Sequence, residues 1–291
     1  MGYGGERTQR IRDATNGDWE QKYIMENVRN KDLVHPDLSY RIMGSAMDVH
    51  NQLGPGWDED AYHAALLHAL RKSGLRAESK LRGVLKHRDL NADWFELDIL
   101  VEDSIILELK HLMDRFHPAH MIQLINYQKY WNKELGILLN FGLDRLLFER
   151  IPFTPRTGLL TRNAAYNRFQ ETNPAKAEYV ESILQAILDA HGLGYGTSVY
   201  RNLVSTECHF RNSTCEPPII PLYYDSVPLG EKQADVFRID SNFLLSVSAQ
   251  RDDSSAIHLA RMLSYLRQTG LSDGIIANFG TNELQLKYVK L

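Results

Sequence analysis

The chain has 291 residues, 43% hydrophobic and 24% charged, a mix that excludes a disordered or fibrous protein and suits one large domain or two ordinary ones. A formal net charge of −4 argues against coating nucleic acid by bulk electrostatics, so any such contact needs a local basic patch. Two cysteines, no run of 18 apolar residues and no cleavable apolar leader lead to the expectation of a cytoplasmic protein with no membrane partner.

In chain order, residues 1–37 hold mixed charge and early glycines and are expected as an N-terminal arm. Leu38 to Leu53 places Ile42, Ala46, Val49 and Leu53 at helical spacing and stops at Gly54-Pro55-Gly56, a helix terminator and turn. A second helix is expected over Glu59–Ser73, with Gly74 closing it. Apolar runs over Trp94–Val101 and Ser104–Leu109, broken at Glu102-Asp103, predict two strands of a hairpin within the strand-rich stretch Leu81–Lys110. Helical spacing returns over Met113–Lys133, and Gly136–Phe141 is the continuous apolar run of a buried strand. The expected order is α, α, β, β, β, α, β.

The segment Gly136-Ile137-Leu138-Leu139-Asn140-Phe141-Gly142 recurs as Gly274-Ile275-Ile276-Ala277-Asn278-Phe279-Gly280, 138 positions on. The same offset carries Gly54, Gly56 and Tyr62 to Gly192, Gly194 and Tyr200, and His120 and Tyr127 to His258 and Tyr265. One offset holding over some ninety positions points to a duplication. The expected division is an arm at 1–37, a first domain at 38–152, a linker at 153–175 and a second domain at 176–291.

Asp98, Glu108 and Lys110 fall on the two strands joined at Glu102-Asp103. Glu108 and Lys110, two residues apart, share a strand face, and Asp98 can meet them across the hairpin. A Glu and a Lys flanking Leu109 in an apolar strand are costly unless paired or ligating metal. Two converging carboxylates make a hard-oxygen site suited to Mg²⁺ or Mn²⁺, with Asp98 and Glu108 as ligands. Lys110 beside such a site can stabilise developing negative charge or orient water, and burial is expected to bring its pKa down toward the working range.

Gly56-Trp57-Asp58-Glu59-Asp60-Ala61-Tyr62, preceded by Leu53-Gly54-Pro55, together with Leu107-Glu108-Leu109-Lys110, Gln123-Leu124-Ile125-Asn126-Tyr127 and Leu139-Asn140-Phe141-Gly142, resembles the GxxExxY proteins of the PD-(D/E)XK nuclease superfamily, over about Leu38 to Ile151. The resemblance implies a restriction-endonuclease-like α/β fold, here two tandem domains, each a central mixed β-sheet flanked by helices. It also implies Asp98 and Glu108 as metal ligands, Lys110 as catalytic lysine, Glu59 on an early helix facing the site, and Gln123 and Tyr127 one helical turn apart over its edge. Tyrosines at helical spacing such as Tyr62 and Tyr127 are more often core aromatics with a bonded hydroxyl, and Glu59 equally suits a helix N-terminus. His111, His117 and His120 lack zinc-ligand spacing and are expected in solvated or capping roles.

Carried across the offset, Glu59 becomes Thr197, Glu108 becomes Ser246, Lys110 becomes Ser248 and Gln123 becomes Arg261, with Asp235 opposite Asp98 after a one-residue slip. The second copy is therefore expected to be inactive, and to pair internally with the first or assist binding. Cys208 and Cys215 are expected as free thiols. Arg71, Lys72, Arg76, Lys80, Arg82, Lys86 and Arg88 form the densest basic stretch, a candidate phosphate-binding surface or a solvated face. The expected activity is Mg²⁺-dependent phosphodiester hydrolysis, in DNA rather than RNA, using the first copy's site. The alternative is a non-catalytic nucleic-acid-binding or assembly subunit of a larger complex, with further protein partners, that retains the fold.

Overall fold

The structure is a computed structural model that describes residues 34–240, 242–250 and 255–291. Of the expected arm, residues 1–33 lie outside the described residues. The chain divides into two compact units, one reaching to Arg82 and resuming over Glu96–Thr154, the other made of Gly83–Phe95 and Pro155–Leu291. Among the described residues no helix is long and apolar enough to cross a membrane.

In the first unit helix α1 (Pro36–Leu53) starts two residues earlier than its apolar pattern, because Pro36 supplies the fixed φ and missing N–H that a first helical turn accommodates. It buries Ile42, Met43, Ala46 and Val49 and ends where Gly54 takes φ +68°, a left-handed conformation that glycine adopts without a Cβ penalty. Helix α2 (Glu59–Lys72) is capped by Asp58, whose carboxylate accepts from Ala61 N at 2.9 Å. Strands β1 (Ala77–His87), β2 (Leu90–Val101) and β3 (Ile105–Lys110) follow, then helix α3 (Pro118–Trp131), β4 (Leu135–Asn140) and β5 (Leu147–Pro152). The sheet order is β1-β2-β3-β4-β5, with β3 and β4 parallel across the α3 crossover and the β2/β3 and β4/β5 pairs antiparallel. Ile42, Leu66, Ile99, Leu107, Leu109, Ile137 and Leu139 meet in one core between the first two helices and the sheet.

The second unit repeats the plan. After β6 (Leu159–Arg162) and α4 (Ala164–Thr172) come α5 (Pro174–His191), α6 (Thr197–Phe210), β7 (Cys215–Glu216), β8 (Ile219–Tyr224), β9 (Val227–Gln233), β10 (Phe237–Ile239), β11 (Phe243–Ser248), α7 (Ser255–Thr269), β12 (Asp273–Phe279) and β13 (Glu283–Lys290). Its main sheet runs β6-β13-β12-β11-β10-β7, and β8-β9 form a separate two-stranded sheet. Two mixed sheets flanked by helices, in tandem, make this an α/β protein of two like domains. The registers agree residue for residue: Glu108 pairs with Leu138 and Lys110 with Asn140, as Ser246 pairs with Ile276 and Ser248 with Asn278.

Three local expectations differ from what is observed. The helix expected from Met113 starts at Pro118, where proline again fixes the first turn. The stretch expected as a linker carries β6, which pairs with β13, and α4, which buries only Tyr166 and Phe169 and so leaves little periodicity to read. The turn after β2 is one residue longer than the Glu102-Asp103 pair: both take φ near +50°, Ser104 N bonds Val101 O at 3.0 Å, and pairing resumes at Val101–Ile105.

Candidate active site

The length of that turn sets the site. Counting inward from Val101–Ile105 through Ile99–Leu107 brings Asp98 directly opposite Glu108, on one face of the sheet; one residue fewer sets it opposite Leu107 and sends the two carboxylates to different faces. Glu108 sits in the middle of a buried strand and is only 2% exposed. Its Oε1 accepts from Lys110 Nζ at 2.6 Å, while its Oε2 is buried without a hydrogen-bond partner. Asp98 Oδ2 accepts from Leu109 N at 2.8 Å, so the carboxylate is anchored to the backbone between Glu108 and Lys110.

Burial drives the Glu108 carboxyl up to about 8, with Asp98 pushing the same way and Lys110 holding it back. For Lys110, burial pulls the ammonium down, but Glu108, then Glu59 and Asp98, outweigh it and raise its pKa. The expectation that burial would bring Lys110 toward the working range is thereby corrected: three carboxylates win over desolvation, and the side chain is a fixed cation. Glu59, in the first turn of α2, is raised by desolvation, against Lys110 and together with Asp98, so it faces the same cluster. Gln123 Nε2 donates to the Tyr127 hydroxyl at 2.9 Å on α3, and that phenol is pushed up to about 12 chiefly by burial, against the Gln123 bond and with smaller contributions from Glu108 and Asp98. Glu59, Asp98, Glu108, Lys110, Gln123 and Tyr127 thus belong to one neighbourhood.

Tyr62 is a core aromatic. Its hydroxyl donates to Gly54 O at 2.7 Å and accepts from Trp57 N at 3.2 Å, and its ring stacks on Phe141 at 4.8 Å. His120 Nδ1 accepts from His117 N at 3.1 Å at the start of α3, the capping role expected of these two, whereas His111 departs from the expectation: it is half-buried beside the Tyr62 ring with its Nε2 buried and unbonded. Two supporting residues escaped the sequence reading. His63 Nε2 lies 3.2 Å from Asp98 O and 3.1 Å from Ser79 Oγ, and its spacing of four from Glu59 on α2 was the available signal. Asn140 Oδ1 accepts from Leu112 N and Gly142 N, and its Nδ2 donates to Leu112 O and Asp114 O, clamping the chain that leaves Lys110. A Cβ at Gly142 would fall 2.5 Å from Leu112 O, so the clamp closes only over glycine.

The basic stretch is divided. Arg71, Lys72, Arg76, Lys80 and Arg82 are exposed in the first unit and Lys86 and Arg88 in the second. Lys80 is engaged by Asp60, Arg82 by Glu96 and Arg88 by Glu207, which leaves Arg71, Lys72, Arg76 and Lys86 without an ion pair among the described residues, Arg71 bonding the Ala77 carbonyl at 3.0 Å.

In the second unit the scaffold persists and the acids are gone. Tyr200 bonds Gly192 O and stacks on Phe279, and Asn278 clamps Gln250, as Tyr62 and Asn140 do. Thr197, at the Glu59 position, accepts from Ala249 N at 2.9 Å, and Ser248, at the Lys110 position, donates to Asn278 at 3.1 Å. The register of Phe237 with Leu245 leaves no slip at the Asp98 position: buried Val236 occupies it, and Asp235 turns outward to Arg201 at 3.2 Å. Cys208 and Cys215 are free thiols, as expected.

Fold and site define a duplicated α/β protein in which one half sets two facing carboxylates and a lysine on neighbouring strands. The profile of the PD-(D/E)XK nuclease superfamily matches residues 36–151 and again residues 175–290, and the chain belongs to that superfamily. No curated protein matches it. A solved structure titled "Crystal structure of SSO0001" is similar over 44% of this chain, at 18% identity and a TM-score of 0.27, and this chain spans 59% of that one.

Proposed function

We propose that the first domain is a metal-dependent nuclease of the GxxExxY type that hydrolyses phosphodiester bonds, in DNA rather than RNA, and that the second domain is a non-catalytic partner. The observation that carries this reading is the unsatisfied, buried Oε2 of Glu108, a residue that stands opposite Asp98 in the strand register. Leaving a buried carboxylate oxygen bare is costly, and a divalent cation relieves that cost in a way a structural ion pair with Lys110 alone does not. Among the described residues no group of three or more His, Cys, Asp or Glu side chains gathers at metal-binding spacing. Two carboxylates suit Mg²⁺ or Mn²⁺, since Mg²⁺ is commonly held by one or two carboxylates and keeps several waters.

Asp98 and Glu108 would hold the ion, which when bound supplies charge neutralisation and an activated water. Lys110, a cation across the working pH range, stabilises negative charge gathering on the scissile phosphate and is unsuited to remove a proton. Glu59, raised above an ordinary carboxyl, is placed to accept a proton from water, and Gln123 and Tyr127 offer polar hydrogens to a phosphate oxygen. Lys72 and Arg76 supply phosphate contacts outside the site.

Incubation of the purified chain with single- and double-stranded DNA and RNA, with Mg²⁺, Mn²⁺ or EDTA, tests the proposal. Cleavage is expected only with metal, and Lys110→Ala is expected to reduce it by about 10²-fold or more, the scale on which single charge-stabilising groups act. Mn²⁺ titration followed by calorimetry gives a readout apart from activity, expected to show binding that Glu108→Gln abolishes. Cleavage unchanged in Lys110→Ala overturns the catalytic reading and leaves the non-catalytic binding subunit, the reading that the serines and threonine of the second domain favour there.

A further inference from the structure

The two hairpins that the duplication makes equivalent differ in how they are covered. The outer part of β1-β2, Gly83–Phe95, is integral to the second unit: Leu85, His87 and Phe95 are buried there. It packs on α6 and the turn before it. His87 Nε2 donates to Glu207 at 2.7 Å, and Arg88 binds the same carboxylate at 3.0 Å and lies 5.2 Å over the Phe210 ring. Asn202 donates to Asp93 at 3.1 Å, Phe95 stacks on Tyr195, and His87 Nδ1 lies 3.0 Å from His191 Nε2. The second domain's own hairpin, β8-β9 with its two-residue turn at Asp225-Ser226, is open. Tyr223 is 64% exposed and Tyr224 70%, and Val227 and Leu229 are exposed beside them. An exposed apolar hairpin of this kind marks an interaction surface.

The duplication also says which surface should receive it. Moving His191, Tyr195, Asn202, Glu207 and Phe210 back by the repeat offset gives Leu53, Trp57, Ala64, Ala69 and Lys72 of the first domain. Leu53 is 40% exposed and Trp57 55%. The chemistry has changed on both sides together. The hairpins correspond turn on turn, one position short of the repeat offset: polar His87 becomes Tyr224 at the last strand position before the turn, while Glu207 becomes Ala69, so an apolar patch faces an apolar patch. Arg88 becomes Asp225 at the first turn position, and the helix ends in Arg71-Lys72, so the charges are inverted and remain complementary. Both surfaces are exposed in a single chain.

We infer that the β8-β9 hairpin of one chain docks on the Leu53, Trp57 and Lys72 face of a second copy of this chain. The contact is heterologous, since hairpin and receiving face are different surfaces, and it closes into a dimer or continues as a chain of copies depending on the rotation it imposes. Local charge on the hairpin, with Asp225 and Glu231 against Lys232, disfavours nucleic acid as the occupant.

Light scattering of the full chain across concentrations up to about 100 μM tests this, a range suited to a small, weak interface. Concentration-dependent self-association is expected for the parent. Leu229→Asp, which spoils only the hairpin, and Trp57→Ser, which spoils only the face, are each expected to remain monomeric. Mixing these two variants is expected to restore a one-to-one dimer, because one chain still offers an intact hairpin and the other an intact face. Asp225→Asn and Lys72→Glu form a second pair should either first variant lose its circular dichroism spectrum. A monomeric parent, variants that associate as the parent does, or a mixture that stays monomeric each overturns the inference.

Discussion

Glu108 shows what a single residue can cost a fold. Its carboxyl is raised from an ordinary 4.5 to about 8 by burial first and Asp98 second. Between those values the folded chain holds a proton that the unfolded chain has lost, so stability falls as pH rises through this window and reaches its full penalty above about 8. Metal-free protein melted across this range should therefore lose on the order of a few kcal/mol toward the alkaline end. Glu108→Gln should flatten that slope while raising stability above pH 8, and a parent whose stability is level across the window would mean that Lys110 alone neutralises the carboxylate. The same cost made the residue visible in the sequence: a Glu in the run Ile105-Ile106-Leu107-Glu108-Leu109 is out of place unless something binds it. What the sequence hid was its partner's facing. Ser104, an extra residue in the turn, sets Asp98 opposite Glu108, and no propensity distinguishes that register from its neighbour.

Between elements, helix and strand meet over glycine. A Cβ on Gly136 of β4 would lie 2.6 Å from Leu124 Cγ of α3, and one on Gly274 of β12 would lie 2.5 Å from Met262 Sδ of α7, the same pair one repeat later. Gly136→Ala is expected to push α3 off the sheet and cost about 1–3 kcal/mol, whereas Gly274→Ala should cost less because the unbranched Met262 can shift. Chemical denaturation of the two variants beside the parent checks the ordering, and equal losses would show that the strands, not the side chains, resist the change. Elements like these, apolar on one stripe or buried on both faces, were readable in the sequence. Strand β5 was not, since Leu147–Ile151 is half-buried throughout and alternates with nothing. The turn Arg88-Asp89 was equally opaque: both residues take positive φ, yet neither is the Asn or Gly that advertises such a turn.

Across the whole chain the two domains have disposed of a buried carboxylate in opposite ways. The first keeps Glu108 with one oxygen unsatisfied. The second holds Glu207 with every oxygen engaged, and at the equivalent place in the first domain stands Ala69. Burial would raise the Glu207 carboxyl, but Arg88, Arg211 and His87 outweigh it and hold it below the ordinary range. A depressed carboxyl contributes stability that is complete above its unfolded pKa and is lost as pH falls through the lower, folded one. The second domain should thus weaken on acidification, while the metal-free first domain gains from the same change until Glu108 is fully protonated. Glu207→Gln should destabilise the second domain by about 2–3 kcal/mol at neutral pH, less than for a fully buried pair because the guanidinium groups of Arg88 and Arg211 stay partly in water. Near-ultraviolet circular dichroism melts of the parent, Glu108→Gln and Glu207→Gln, carried from about pH 8 down to acid below about pH 4.5, should show the Glu108 slope above 4.5 and a Glu207 slope of opposite sign below it, each removed by its own substitution. A single slope abolished by either change would mean that the two carboxylates titrate as one cooperative unit, and the functional division between the domains would then have no counterpart in their stability.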